Sequence, residues 1–252
     1  MLFKPSHGVI LYCDVELDDF KRIMNYTTTI EGVSGYLIDR LLEARYGFPA
    51  IRDARRNYTD LPLVFEAQRE GNASEAKERD LIKLYAANEV DALVLFSYIS
   101  PRIQKACVDA CYENKLTPIA GFKLPQLLTA EDEISIEDER LKGESYRGYI
   151  AKDALERALG LYAKLGVDHY LVSGNEVDEL KHTKDILLEM EIKPIFCMPN
   201  LGIQEGDIAQ AFEAVKDCPA AYGIITPRKE EIEDKWELKE RIKRLADEAL
   251  RF

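Results

Sequence analysis

"DHYLVSG" (168–174), "EVDELKHTKDILLEME" (176–191) and "KPIFCMP" (193–199) read in succession as a strand, a helix and a strand. The first and last are short apolar runs without strict alternation, as expected of parallel strands buried on both faces. The middle segment carries its apolar residues at helical spacing. The same unit recurs along the chain. Six further runs read as strands: "GVILYCDV" (8–15), "VSGYLID" (33–39), "LPLVFEAQ" (61–68), "DALVLFSY" (91–98), "LTPIAGFKL" (116–124) and "AYGIITP" (221–227). Helical punctuation lies between them. Asp18 is a candidate N-cap in "LDDFKRIMNYTTTI", and Asn72 or Ser74 in "NASEAKERDLIKLYAANEV". Ser100 with Pro101 opens "SPRIQKACVDACYENK", and Gly166 closes "KDALERALGLYAKLG". Eight strand–helix units in this length predict an α/β fold, a (β/α)8 TIM barrel. An open doubly wound sheet is the competitor, but no GxGxxG follows the first strand.

The chain has 252 residues, 46% of them apolar and 32% charged, within the range of folded soluble proteins. No uninterrupted apolar run reaches about 18 residues, so no membrane span is expected. The start, "MLFKPSHGVILYCDV", reads as a first strand rather than a signal peptide, which implies a cytoplasmic protein. The net charge of −12 argues against general nucleic-acid binding, which needs a basic face. It does not exclude a local anion pocket. Much of the acidity sits in "TAEDEISIEDERLKGESY" (129–146), read as an insertion at about 128–148 after strand five, within a single domain spanning 1–252. Cys13, Cys107, Cys111, Cys197 and Cys218 form no CxxC pair and read as reduced core thiols. His7, His169 and His182 are too scattered for a histidine metal site.

In such barrels chemistry sits at the C-terminal ends of the strands. Those ends offer Asp14 and Glu16, Asp39 and Arg40, then Glu66, Gln68, Arg69 and Glu70. Ser97 and Tyr98, Lys123, Ser173 and Asn175 follow, then the loop at 199–206, Thr226 and Arg228. The loops after strands seven and eight are a frequent phosphate site, built from backbone N–H groups, helix N-termini and a two-pronged arginine. Gly202, Gln204, Gly206 and Arg228 meet that description, with Gln68, Asn200 and Thr226 as further ligand contacts. In the alternative, the glycines only turn the chain and Arg228 pairs with Glu231 or Glu233.

These residues resemble a known family. "MPNLGIQEGD" is similar to the "SPGVGAQGGD"-type seventh-strand loop of orotidine 5′-phosphate decarboxylases, keeping Pro199, Gly202, Gln204, Gly206 and Asp207. "AAYGIITPRKEEIED" resembles the family's eighth strand, with Arg228 on the phosphate-gripping arginine. "GVDHYLVSGNEVDELKHTKDIL" is similar to the sixth strand and its helix, which puts Ser173 and Gly174 at the ligand-facing turn with Ser173 on the phosphate, and Asp14 matches the aspartate that contacts the ligand's ribose. The likeness covers nearly the whole chain in element order and is specific over the last 85 or so residues. The resemblance implies a homodimeric TIM barrel of the ribulose-phosphate-binding type that binds a nucleotide or sugar phosphate.

Catalysis in that family uses a lysine after the second strand and D-x-K-x-x-D at the third. Here the third strand reads "VFEAQREGN", with Glu66, Gln68 and Gly71 at the three motif positions. Asp39 and Arg40 stand near the expected second-strand lysine. Gln68 has no proton to give at neutral pH, and Arg40 carries a guanidinium that stays protonated in proteins and so releases none. A rebuilt catalytic set draws on Glu66, Lys123, Asp14 and Asp39. Lysine is tunable by burial, and Lys123 is otherwise an exposed loop residue. No cofactor is required in this reading, although Asp14, Glu16, Asp39 and Glu66 suit Mg²⁺ if they converge. Three functions stay open: a diverged lyase- or isomerase-type enzyme, a non-catalytic nucleotide-binding sensor or partner subunit, and a true orotidylate decarboxylase.

Overall fold

The computed structural model describes residues 2–67, 73–96, 100–121, 129–135, 145–202 and 207–252. Eight parallel strands close into a barrel: β1 (His7–Cys13), β2 (Val33–Ile38), β3 (Leu63–Ala67), β4 (Ala92–Leu95), β5 (Thr117–Gly121), β8 (His169–Leu171), β9 (Ile195–Met198) and β10 (Ala220–Ile225). Around the barrel they follow the order β1–β10–β9–β8–β5–β4–β3–β2, so the first strand pairs with the last. All eight apolar runs read from the sequence are strands of this barrel. Two short strands, β6 (Glu133–Ser135) and β7 (Ser145–Arg147), pair antiparallel between β5 and the next helix. Residues 128 and 136–144 of the acidic insertion lie outside the described residues.

The helices are α1 (Leu17–Thr27), α2 (Arg40–Tyr58), α3 (Glu75–Ala87), α4 (Pro101–Glu113), α5 (Ala154–Lys164), α6 (Val177–Glu189), α7 (Ile208–Ala214), α8 (Lys229–Glu233) and α9 (Lys235–Ala249). Their inward stripes and the outward faces of the strands form one apolar layer that includes Phe20, Phe65, Tyr162, Phe196 and Phe212. Ser100 caps α4 by accepting from the Arg102 N–H at 3.2 Å, with Pro101 in the first turn. Asp18 is not the cap of α1, which begins after Glu16; its carboxylate is taken by Lys21 at 2.8 Å. Ser74 precedes α3 but makes no side-chain cap bond. The buried Glu78 instead reaches back to the Ala73 N–H at 2.8 Å. Helix α2 breaks at Gly47 (φ 73°, ψ 153°), where Pro49 restarts it, leaving one short turn above the end of β2.

Inside the barrel every strand contributes one side chain to an apolar ring: Ile10, Leu37, Val64, Val94, Ile119, Leu171, Cys197 and Ile224. Phe3 plugs the N-terminal end, its ring centroid 4.9 Å from that of Tyr222, whose hydroxyl donates to the Pro5 carbonyl at 3.0 Å. This ring sets the floor beneath the mouth. Side chains alternate along a strand, so the residue two places beyond each ring member comes next on the inner face, toward the C-terminal end.

Candidate functional site

Counting two residues up from the ring gives Tyr12, Asp39, Glu66, Phe96, Gly121, Ser173, Pro199 and Thr226. The layer is unevenly polar. Phe96, nearly fully buried, leans over Gly121, where a Cβ would stand 2.5 Å from its ring. Acids gather on the β1–β3 side, while hydroxyls, amides and an arginine gather on the β8–β10 side.

On the acidic side, the Tyr12 hydroxyl donates to Asp39 Oδ2 at 3.4 Å. Asp39 Oδ1 caps α2, accepting from the N–H groups of Leu41 at 3.0 Å and Leu42 at 3.2 Å. Both oxygens of Asp39 are therefore engaged. Burial, then the charges of Glu66, Asp39 and Asp14, hold the Tyr12 phenol far above its ordinary pKa. Asp14 is exposed at the rim, yet burial and the neighbouring Asp39 raise its carboxyl above the usual range, with Arg45 opposing. Three carboxylates thus act on one phenol, and Asp39 is bonded to it. Glu16 turns outward, its carboxylate held by Arg45 at 2.6 Å and by the Tyr46 hydroxyl. Among the described residues no three His, Cys, Asp or Glu side chains are grouped to hold a metal ion.

On the opposite side, Asn200 donates from Nδ2 to Ser173 Oγ at 2.8 Å, and Ser173 donates to Asn175 Oδ1 at 2.6 Å. The Gly174 N–H donates to the Pro199 carbonyl at 2.8 Å. A Cβ on Gly174 would stand 2.6 Å from Leu201, so only glycine lets these turns lie against each other. Asn200 (φ 66°) and Gly202 (φ 77°) both occupy the left-handed region. Among the described residues the other non-glycine positions of that kind, Glu89, Lys115 and Glu191, each lie just past a helix end. Asn200 stands apart because it lies at a strand end, in the mouth, where stored strain is a mark of function.

Arg228 precedes α8 with its side chain 53% exposed, 3.8 Å from Glu231 Oε1 through Nε. The alternative pairing with Glu231 is therefore present, but it is long and leaves the guanidinium open to solvent. Glu231 Oε2 is better occupied, by the Arg228 N–H at 3.0 Å and by Arg241 Nη1 at 2.7 Å. Thr226 is exposed beside them. Gln68, Lys123, Gln204 and Gly206 lie outside the described residues.

The sequence reading missed two participants, Tyr12 and Arg241. A signal existed for each. Tyr12 follows Ile10 by two on a strand whose inner face is apolar. Arg241 lies three after Leu238 and four before Leu245, inside the apolar stripe of the last helix.

No protein-family model and no curated protein sequence matches the chain. Solved structures do. Orotidine 5′-monophosphate decarboxylase from Methanocaldococcus jannaschii, in complex with the inhibitor BMP, superposes with a TM-score of 0.73 at 14% identity, covering 97% of this chain and 99% of that one. The enzyme from Pyrococcus horikoshii OT3 gives 0.69 at 16% identity over 96% and 99%. An uncharacterized conserved protein from Geobacillus kaustophilus gives 0.63 at 12% identity over 94% and 99%. The chain therefore has the closed (β/α)8 barrel fold of the orotidine 5′-monophosphate decarboxylases, matched from end to end.

Proposed function

We propose that this protein is a diverged member of the orotidine 5′-phosphate decarboxylase superfamily that binds a phosphate monoester, a nucleotide or sugar phosphate, across the barrel mouth. The phosphate sits with Ser173, Gly202, Gln204, Gly206 and Arg228. Asn200, Thr226 and Gln68 contact the body of the ligand. Its reacting end faces Asp14, Asp39 and Glu66, with Lys123 as proton donor, in lyase- or isomerase-type chemistry. One observation carries this reading. The mouth is divided between a carboxylate-rich half on β1–β3 and a half on β8–β10 that holds an exposed arginine and left-handed turns. A ligand with an anionic end fits only one way round in such a field.

Titration calorimetry with uridine 5′-monophosphate, orotidine 5′-monophosphate, sugar monophosphates and inorganic phosphate tests the binding. Arg228→Ala should weaken it by at least about tenfold, as loss of a charge-assisted contact does. Equal binding by that variant overturns the phosphate assignment. Glu66→Gln and Lys123→Ala should abolish turnover while sparing binding; full activity in both overturns the catalytic one. The same reading includes a cytoplasmic homodimer, checked by sedimentation, and turnover without added cofactor, checked by titrating Mg²⁺ against a chelator.

A second reading, a non-catalytic nucleotide-binding barrel, is favoured by the engagement of both Asp39 oxygens and by Gln68 at the motif lysine's position. It predicts thermal stabilisation by ligand with no turnover of any candidate.

A further inference from the structure

Arg241 on α9 and Glu231 on α8 form a buried ion pair that the proposed phosphate grip does not itself use. Arg241 is 8% exposed and Glu231 2%. Such a pair is seldom more stabilising than apolar side chains of the same volume, because both charges lose their water. Arg241 also interrupts the apolar stripe formed by Leu238, Ile242 and Leu245. A reason other than stability is needed, and the contacts supply one.

The Arg241 guanidinium reaches three separate segments. Nη1 donates to Glu231 Oε2 at 2.7 Å and to the Thr226 carbonyl at 3.4 Å. Nη2 donates to the Gly202 carbonyl at 3.3 Å. Gly202 follows β9, Thr226 follows β10, and Glu231 belongs to α8. Through Glu231 the network extends to the Arg228 backbone, whose N–H shares the same carboxylate oxygen. Leu245, one helical turn further along α9, packs with Ile225 beneath the Gly202 Cα. This planar fork joins the backbone after β9 to the backbone after β10. Lysine cannot imitate it, since one ammonium does not present two donor arms in a fixed plane.

We infer that Arg241, with Glu231, is a positioning residue for anion binding: it sets Gly202 and Arg228 at a fixed separation, and it touches no ligand itself. The inference rests on the phosphate-ester reading of the mouth and adds to it the element that shapes the grip. It also explains why the Arg228 side chain stays exposed. Glu231 spends its stronger bonds on Arg241 and the Arg228 backbone, and leaves the Arg228 guanidinium with a partner 3.8 Å away.

The test is titration of inorganic phosphate and uridine 5′-monophosphate into the full chain, its Arg241→Lys and Arg228→Ala variants and the double variant, at a temperature where circular dichroism shows each folded. Arg241→Lys should bind at least about tenfold more weakly although the charge is kept. The two losses should combine to clearly less than their product, because part of what Arg241 does is to place Arg228. Glu231→Gln replaces Arg241→Lys if the latter does not fold, with the same expectation. Wild-type affinity in Arg241→Lys, with only a lowered melting temperature, overturns the inference and leaves the phosphate reading intact. Fully multiplicative losses overturn it as well. If the wild-type protein binds neither probe, the phosphate reading falls and takes the inference with it.

Discussion

Tyr12 on β1 and Asp39 just past the end of β2, 27 residues apart in sequence, are joined by a hydrogen bond from the phenol to the carboxylate. The bond ties the inner face of β1 to the cap of α2. Tyr12→Phe removes it while keeping the ring packed on the apolar ring below. Stability to urea should fall by about 1 kcal/mol, the net worth of a typical hydrogen bond. Alkaline difference spectroscopy supplies a second check. Tyr12 is held far above its ordinary pKa, so wild-type and Tyr12→Phe should show the same tyrosinate absorbance near pH 10.

Asp14 gives a prediction with a definite pH sign. Its carboxyl is raised in the folded state, so the folded protein binds this proton more tightly than the unfolded chain does. The ionised form therefore costs stability at neutral pH. That cost is relieved as pH falls through the raised folded value, and is gone below the ordinary value of about 4. Asp14→Asn should raise the melting temperature at pH 7, and the gain should shrink toward zero as the acid range is entered. A gain that grows with acidity contradicts the assignment.

Truncating one member of the Arg241–Glu231 pair strands the other in the interior. Arg241→Met should cost about 3–5 kcal/mol by urea unfolding. The double variant Arg241→Met with Glu231→Leu should recover most of that loss while still failing to bind phosphate well. This outcome separates stability from site geometry within one pair of proteins.

Left-handed residues offer a matched comparison. Lys115 and Glu191 sit just past helix ends at φ 62° and 61°, where glycine is the unstrained choice. Lys115→Gly and Glu191→Gly should each stabilise by about 0.5–1 kcal/mol, the scale of such backbone relief. Asn200→Gly relieves the same strain at φ 66° but deletes the donor to Ser173. It should weaken phosphate-ester binding whatever it does to the melting temperature.

The barrel was legible because the eight strands are short apolar runs spaced by helices, and because burial on both faces leaves that composition little else to form. Once the structure identifies the ring, period-two counting reaches Tyr12, Ser173 and Thr226. Other features depend on meetings that spacing does not encode. Asp39 stands at the strand end where a catalytic acid was expected, but it is also the residue just before a helix, and it serves the cap. Asp18 lost its capping role to a local choice, since Lys21 three residues on competes for its carboxylate. Arg241 was hidden because its partners come from three other segments, one of them 39 residues upstream.

The pairing of β1 with β10 has a consequence for how the protein is made. A ribosome finishes the carboxylate-bearing strands within the first 67 residues, long before it reaches the strand that must lie beside the first. Until residue 225 has emerged, the nascent barrel is an unsealed arc with an unmatched edge on β1. Ligand cannot assist that early stage under the proposed reading, because the arginine and glycine proposed to hold it have not yet been translated.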